Sequence, residues 1–340
     1  MTPSRLIGSK TGGGEREGLG RKRISPVMNE PVMKKRSIGE YLVITLKGFC
    51  MGAADVVPGV SGGTMAFILG IYEELIAAIR SFDTLFLKRL FRLNVREALR
   101  GVSWPFLVAL FLGIFTAVFS LARILGWLLE NRPVFIWSFF FGLVLASVFT
   151  VGRQLDRWRV ATAGWMILGT IGAYLLVGMV PLSTPETPWF LVLSGAVAIC
   201  AMILPGISGS FILVLMGKYE YLLRAVNHRD FLTLALAAVG AAVGLITFVR
   251  ILSWLLKKHR DVTIAALTGL MLGALRKVWP WKKPLEGLVT GDGSPLVVAQ
   301  ANTLPSEWNT EVGIALGLAA IGFLVVFTLN LWARKSSGKP

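Results

Sequence analysis

The chain has 340 residues, of which 54% are hydrophobic and only 16% charged, and its mean hydropathy is +0.68. Average soluble domains carry about 25% charged residues, so a soluble fold is excluded. Nucleic acid, which a net charge of +16 would otherwise suggest, is excluded as a partner because the basic residues sit in the gaps between apolar runs.

Residues 1–37 are polar and Gly-rich and hold nine Lys or Arg, including Arg21-Lys22-Arg23 and Lys34-Lys35-Arg36. They read as a disordered cytoplasmic tail with no signal-peptide core. Two apolar pieces follow, about 40–57 and 60–80, separated by Pro58-Gly59. After a basic connection (Lys88, Arg89, Arg92, Arg96, Arg100) come spans at about 104–129, 133–151 and 161–181. Beyond a loop from Pro181 to Pro188, two more pieces, about 189–204 and 206–226, are separated by Pro205-Gly206. Spans at about 231–256, 261–278 and 311–333 complete the chain, with a polar loop over 284–310. Runs of about 20 apolar residues match the hydrocarbon thickness of a bilayer. Cys50 and Cys200 lie in apolar runs and His228 and His259 in charged junctions. That pattern predicts no disulfide and no metal site.

The second half repeats the first. Pro58-Gly59-Val60-Ser61-Gly62-Gly63 returns as Pro205-Gly206-Ile207-Ser208-Gly209-Ser210, and Gly70-Ile71-Tyr72-Glu73 as Gly217-Lys218-Tyr219-Glu220. Arg123-Ile124-Leu125-Gly126-Trp127 returns as Arg250-Ile251-Leu252-Ser253-Trp254, and Gly142-Leu143 as Gly269-Leu270. A self-match of this length is a duplication. The first repeat spans 38–181 and the second 182–336. If each Pro-Gly unit is a re-entrant hairpin, each repeat has about three full spans and the second lies upside down relative to the first. Most of the 35 Lys and Arg then fall on the cytoplasmic side with both termini. Arg276, Lys277, Lys282 and Lys283 do not; they fall outside. The expected fold is an all-α polytopic membrane protein of two inverted repeats.

Pro-Gly within an apolar run breaks a helix. The freed main-chain groups then need protein or a watery cavity around them. Ser61 and Ser208 follow the helix-break residues Pro58, Gly59, Pro205 and Gly206 at N-cap positions, and Gly62, Gly63, Gly209 and Ser210 leave their N–H groups approachable. Two such tips meeting near the midplane suit an anion, phosphate above all. Arg123 and Arg250 occupy equivalent places inside apolar spans. They are read either as phosphate ligands in a shared cavity or as residues that snorkel to the interface. Lys47 and Asp55, eight residues apart, have Ser194 and Met202 as their second-copy equivalents. Asp55 is expected to pair with Lys47 or an Arg, or to carry H+ or Na+. Glu73 and Glu220 are further charge-network candidates. No catalytic set, cofactor motif or Walker sequence is present.

The paired Pro-Gly-Val/Ile-Ser-Gly-Gly/Ser motifs, each followed by Gly-x-Tyr-Glu, resemble those of the bacterial polyprenyl-phosphate transporters, over roughly residues 38–333. The resemblance implies two re-entrant hairpins in inverted repeats in the cytoplasmic membrane. It also implies a substrate, undecaprenyl phosphate, returned from the outer to the cytoplasmic leaflet for cell-envelope synthesis. By position it singles out Pro58 to Thr64, Pro205 to Phe211 and the Tyr-Glu pairs. The competing classes are a small-anion or ion transporter and a membrane enzyme like undecaprenyl-diphosphate phosphatase. That enzyme's motif has Arg where this chain has Gly62 and Gly209, and without Arg a phosphoryl transition state loses its charge stabiliser. The partners expected are the lipid substrate and the bilayer, with room for a homodimer.

Overall fold

The computed structural model describes residues 36–56, 61–82, 101–155, 158–182, 184–284 and 300–336, with isolated positions between 86 and 99. The expected tail falls almost wholly outside these residues, and Pro58 and Gly59 fall outside them too. The first half holds α1 (Ile38–Val56), α2 (Gly62–Ile68), α3 (Tyr72–Arg80), α4 (Trp104–Asn131), α5 (Pro133–Gly152) and α6 (Val160–Val177). The second holds α7 (Pro188–Ile203), α8 (Gly209–Leu215), α9 (Tyr219–Asn227), α10 (Phe231–Lys258), α11 (Arg260–Ala274) and α12 (Thr310–Ser336). Between α11 and α12 the stretch expected to be a plain loop contains β1 (Lys282–Pro284) and β2 (Gln300–Asn302). These pair antiparallel, with Lys282 opposite Asn302.

Among the described residues, α4, α5, α6, α10 and residues 310–330 of α12 are long and apolar enough to cross a membrane. The chain is thus a helical, multi-pass membrane protein. Its outer surface is correspondingly apolar: Phe111, Phe115 and Phe119 form an exposed ladder along α4, where lipid replaces a protein core.

The duplication is visible in the architecture. α2 and α8 each have seven residues, α3 and α9 nine, and α4 and α10 28. In one half α1 packs along α4; in the other α7 packs along α10. Each crossing rests on the same glycine: a Cβ on Gly113 would overlap the Thr45 carbonyl, and one on Gly240 the equivalent Val192 carbonyl. Backbones approach this closely in membranes because lipid supplies no hydrophobic drive between helices and packing must supply the attraction. The halves also exchange partners, α5 packing along α12 and α6 along α11.

The apolar pieces expected over 60–80 and 206–226 are each two short helices. α2 and α3 meet at a bend of 117°. Both elbows are Schellman turns. Ile71 N–H donates to Ala66 O (3.0 Å) and Gly70 N–H to Phe67 O (3.2 Å), while Lys218 N–H donates to Leu213 O (2.8 Å) and Gly217 N–H to Val214 O (2.9 Å). Gly70 and Gly217 sit at φ of +68° and +61°, where a side chain would be strained.

Candidate functional site

A cavity of about 440 Å³ lies where Asp55 of α1 and Ser61 meet α7, α10 and the turn into α8. Its polar lining is Asp55, Ser61, Ser208 and Ser210. Its wall is made of small residues of α7 and α10, among them Gly195, Ala198, Ala237 and Ala241. The two serines at corresponding places in the repeat therefore face one space. Ser61 and Ser208 occupy the N-cap positions of α2 and α8, but neither hydroxyl caps its own helix. Ser61 Oγ donates to Leu204 O (3.3 Å), and Ser208 Oγ lies 2.8 Å from Ser210 Oγ.

The first hairpin stitches the second break closed. Gly206 N–H donates to Thr64 Oγ1 (2.9 Å), and Tyr72 OH donates to Ile203 O (3.2 Å). With the Ser61 bond, these three contacts satisfy main-chain groups that the end of α7 and the Pro205-Gly206 turn leave without helical partners. Gly63 permits the approach, since a Cβ there would lie 2.7 Å from the Ile203 carbonyl oxygen. The sequence marked Thr64 by its motif position alone. Nothing in it distinguished Tyr72 from Tyr219, yet Tyr72 is 3% exposed and Tyr219 43%.

Lys47 and Asp55 do not pair with each other, contrary to one expectation. Asp55 Oδ1 accepts from Gly62 N–H (2.6 Å) at the start of α2, and Lys47 Nζ donates to Leu69 O (2.8 Å) at its end. Eight residues along α1 rise about 12 Å, close to the length of a seven-residue helix running back beside it. The carboxylate thus meets the positive end of α2 and the ammonium its negative end. Gly62 is therefore not an open anion donor: its N–H is taken, and a Cβ on it would strike the Asp55 carboxylate. In the second copy Ser194 and Met202 stand in these places, so α8 has no such clamp. Ser210 is exposed, whereas residues 61–69 are buried throughout.

The remaining candidates lie elsewhere. Arg123 and Arg250 are exposed on α4 and α10, eight residues before the ends of those helices, and neither lines the cavity. The structure does not bring them to the serines. Their place, two turns from a helix end on an exposed face, is compatible with a snorkelling side chain. Glu73 is exposed and pairs with Arg260 at 3.9 Å, linking α3 to the start of α11. Its neighbour Glu74 holds Arg36 through two bonds of 2.7 and 2.9 Å. Glu220 is exposed in the first turn of α9.

Residues 51–295, which include both breaks and the whole cavity lining, match the VCA0040-like family, described as undecaprenyl phosphate translocase-like. The chain belongs to this family. A polyprenyl-phosphate transporter of Vibrio cholerae is 45% identical over 301 residues, covering 87% of this chain and 98% of that one. A polyprenyl-phosphate transporter of Staphylococcus aureus is 33% identical over 254 residues, covering 69% of this chain and 85% of its own length. No solved structure matches the chain. The family match spans Arg123 and Arg250 as well as the tips, so it does not choose between them as head-group ligands; of these, only residues at the tips line the cavity. Arg123→Gln and Arg250→Gln are each expected to leave polyprenyl-phosphate affinity within about twofold, the range of substitutions remote from a site. Loss of binding in either variant, measured on purified protein of normal elution profile, would return the arginines to the site.

Proposed function

We propose that the chain carries undecaprenyl phosphate across the bacterial cytoplasmic membrane, from the outer to the cytoplasmic leaflet, so that the lipid carrier can be reused in envelope synthesis. The observation that carries this reading is the cavity shared by Ser61 and Ser208, lined by both halves of a duplicated chain whose relatives are named polyprenyl-phosphate transporters. A phosphate head needs hydroxyl and main-chain donors in a space closed to hydrocarbon. Ser208, Ser210 and the main chain at Gly209 offer these on the side not occupied by Asp55. The isoprenoid tail needs no tunnel, because it stays in lipid while the head crosses.

In this proposal the repeats are inverted and both termini are cytoplasmic, which gives two near-equivalent states open to opposite sides. α2 of the first hairpin, held at its start by Asp55 and at its end by Lys47, is the fixed element; the second hairpin moves against it. Asp55 shares the cavity with the head group, so two negative charges meet there unless Asp55 binds a proton or Na+. That makes Asp55 the coupling residue. The reaction is transfer between leaflets with no bond broken, and the protein is a transporter rather than an enzyme.

Purified protein in proteoliposomes is expected to move labelled undecaprenyl phosphate between leaflets and to release no inorganic phosphate from undecaprenyl diphosphate. Absence of flux would defeat the transport reading. Phosphate release that disappears in Ser61→Ala would replace it with a phosphatase. Labelling of a cysteine placed beside Arg92 from the external side would exclude the inverted arrangement.

A further inference from the structure

The four basic residues that run against the expected charge distribution, Arg276, Lys277, Lys282 and Lys283, follow α11, and two of them are poorly solvated. Lys277 Nζ lies 4.6 Å from the centre of the Phe211 ring on α8. Lys282 Nζ lies 4.2 Å from the centre of the Trp137 ring on α5 and donates to Lys277 O, 2.5 Å away. Among the described residues neither lysine has an acidic partner. The sheet holds them in place: Trp279 Nε1 donates to Thr303 O (2.8 Å) beyond β2, and the Trp279 ring stands edge-on to Phe141 of α5 at 5.4 Å. Arg276 is drawn away, over the Tyr174 ring at 4.3 Å, with Nη1 donating to Tyr174 O.

Two lysines partly withdrawn from water, the charge of one acting on the other, are costly to keep protonated without a counter-charge. Burial penalises each charge, and each raises the cost of the other. Aromatic faces offset only part of this. The charges show the conflict. Burial pushes Lys277 below the ordinary lysine value, and burial, then the charge of Lys277, pushes Lys282 down to about 7. The pair is not inherited from the duplication. In the register that aligns Gly142 with Gly269, Thr150 stands opposite Lys277. The ring under Lys277, Phe211, directly follows Ser210, which lines the cavity. Among the described residues no carboxylate meets the pair, and an anion with more than one oxygen would find both lysines beside the second tip.

We propose that Lys277 and Lys282 form an anion site that takes the phosphate monoester head of the transported lipid beside the second hairpin, before or after it occupies the cavity. The site rests on the transport reading only for the identity of the lipid; its chemistry, a phosphate between two ammonium groups, stands on the lysines themselves. Charge-assisted bonds to both would hold the phosphate oxygens, and the anion would remove the mutual repulsion of the pair.

The test uses full-length protein in detergent micelles and an acylating amine reagent at pH 7.5, read by mass spectrometry of lysine-containing peptides. Lys282 is expected to acylate faster than the exposed Lys257. Polyprenyl phosphate should suppress that reaction and neutral polyprenol should not. Inorganic phosphate separates the two sources of the anion: protection by both means the site reads the phosphate alone, and protection by the lipid alone means it also needs the tail. Binding of polyprenyl phosphate to Lys277→Gln/Lys282→Gln should weaken by about tenfold or more, and Lys277→Arg/Lys282→Arg should recover most of it. Equal acylation with and without either phosphate, or unchanged affinity in the double Gln variant, would overturn the site. If polyprenyl phosphate does not bind the unmodified protein while inorganic phosphate still protects Lys282, the transport reading fails and the anion site stands.

Discussion

Asp55→Ala is expected to reduce polyprenyl-phosphate flux by about tenfold or more while leaving the protein in the membrane. The carboxylate makes a 2.6 Å bond to Gly62 N–H and faces the cavity. Removing it leaves a buried N–H at the start of α2 without an acceptor, a loss of about 1–3 kcal/mol, and takes the anion from the positive end of that helix. α2 carries Ser61 at its N-cap and Thr64, the acceptor for Gly206 N–H, so a shifted α2 disturbs both breaks at once. Asp55→Asn separates geometry from charge. It keeps an oxygen for Gly62 N–H but carries no charge and cannot take up a proton. If Asn restores flux, Asp55 is a clamp; if Asn is as inactive as Ala, the charge itself is used. Flux in proteoliposomes at equal protein content is the measurement, and wild-type flux in Asp55→Ala would remove Asp55 from the mechanism. Gly62→Ala should resemble Asp55→Ala, because the new methyl group claims the space of the carboxylate.

Gly240→Leu is expected to abolish recovery of folded protein, whereas Gly126→Leu should be tolerated. A Cβ on Gly240 would overlap the Val192 carbonyl of the adjoining α7, and the obstacle is backbone, which cannot step aside without parting the helices. Overpacking a core ordinarily costs about 1–3 kcal/mol, and a clash with backbone at a helix crossing lies at or beyond the top of that range. Gly126 on α4 has nothing within 4 Å of its Cβ position. Size-exclusion chromatography of fluorescently tagged variants reads both. A monodisperse Gly240→Leu peak at wild-type height would mean that the α7–α10 crossing is not needed for folding.

The helical membrane class and five of the six expected spans were legible in the sequence because hydrocarbon thickness fixes span length and every spanning backbone must satisfy itself; the sixth, expected at about 261–278, is instead the 15-residue α11, which is too short to be one of the spans among the described residues. The duplication was legible for a different reason: shared packing and turn geometry preserve residues such as Gly70 and Gly217, whose φ angles are both left-handed. The break at Pro205-Gly206 and the serines that precede α2 and α8 followed from what Pro and Gly do to a helix. The elbows that split each hairpin into two helices were missed, because Gly70 and Gly217 were read as repeat markers rather than helix stops.

The partners of the charged residues were not legible. One-dimensional spacing put Lys47 and Asp55 near one face of α1, and pairing was the natural reading. Only the return of α2 alongside α1 showed that the spacing matches a helix length, with each charge set against the opposite end of its dipole. Likewise, duplication made Arg123 and Arg250 equivalent without saying which way they face, since rotation of a long apolar helix is set by its neighbours. The glycine contacts of Gly113 with Thr45 and of Gly240 with Val192 fix that rotation, and they turn both arginines outward. Sequence thus determined the solvent, the repeat and the places where the helices break. Tertiary structure decided which of the freed groups meet, because hydrogen bonds such as those from Gly206 to Thr64 and from Tyr72 to Ile203 join residues more than 130 positions apart, and no local pattern encodes a contact at that range.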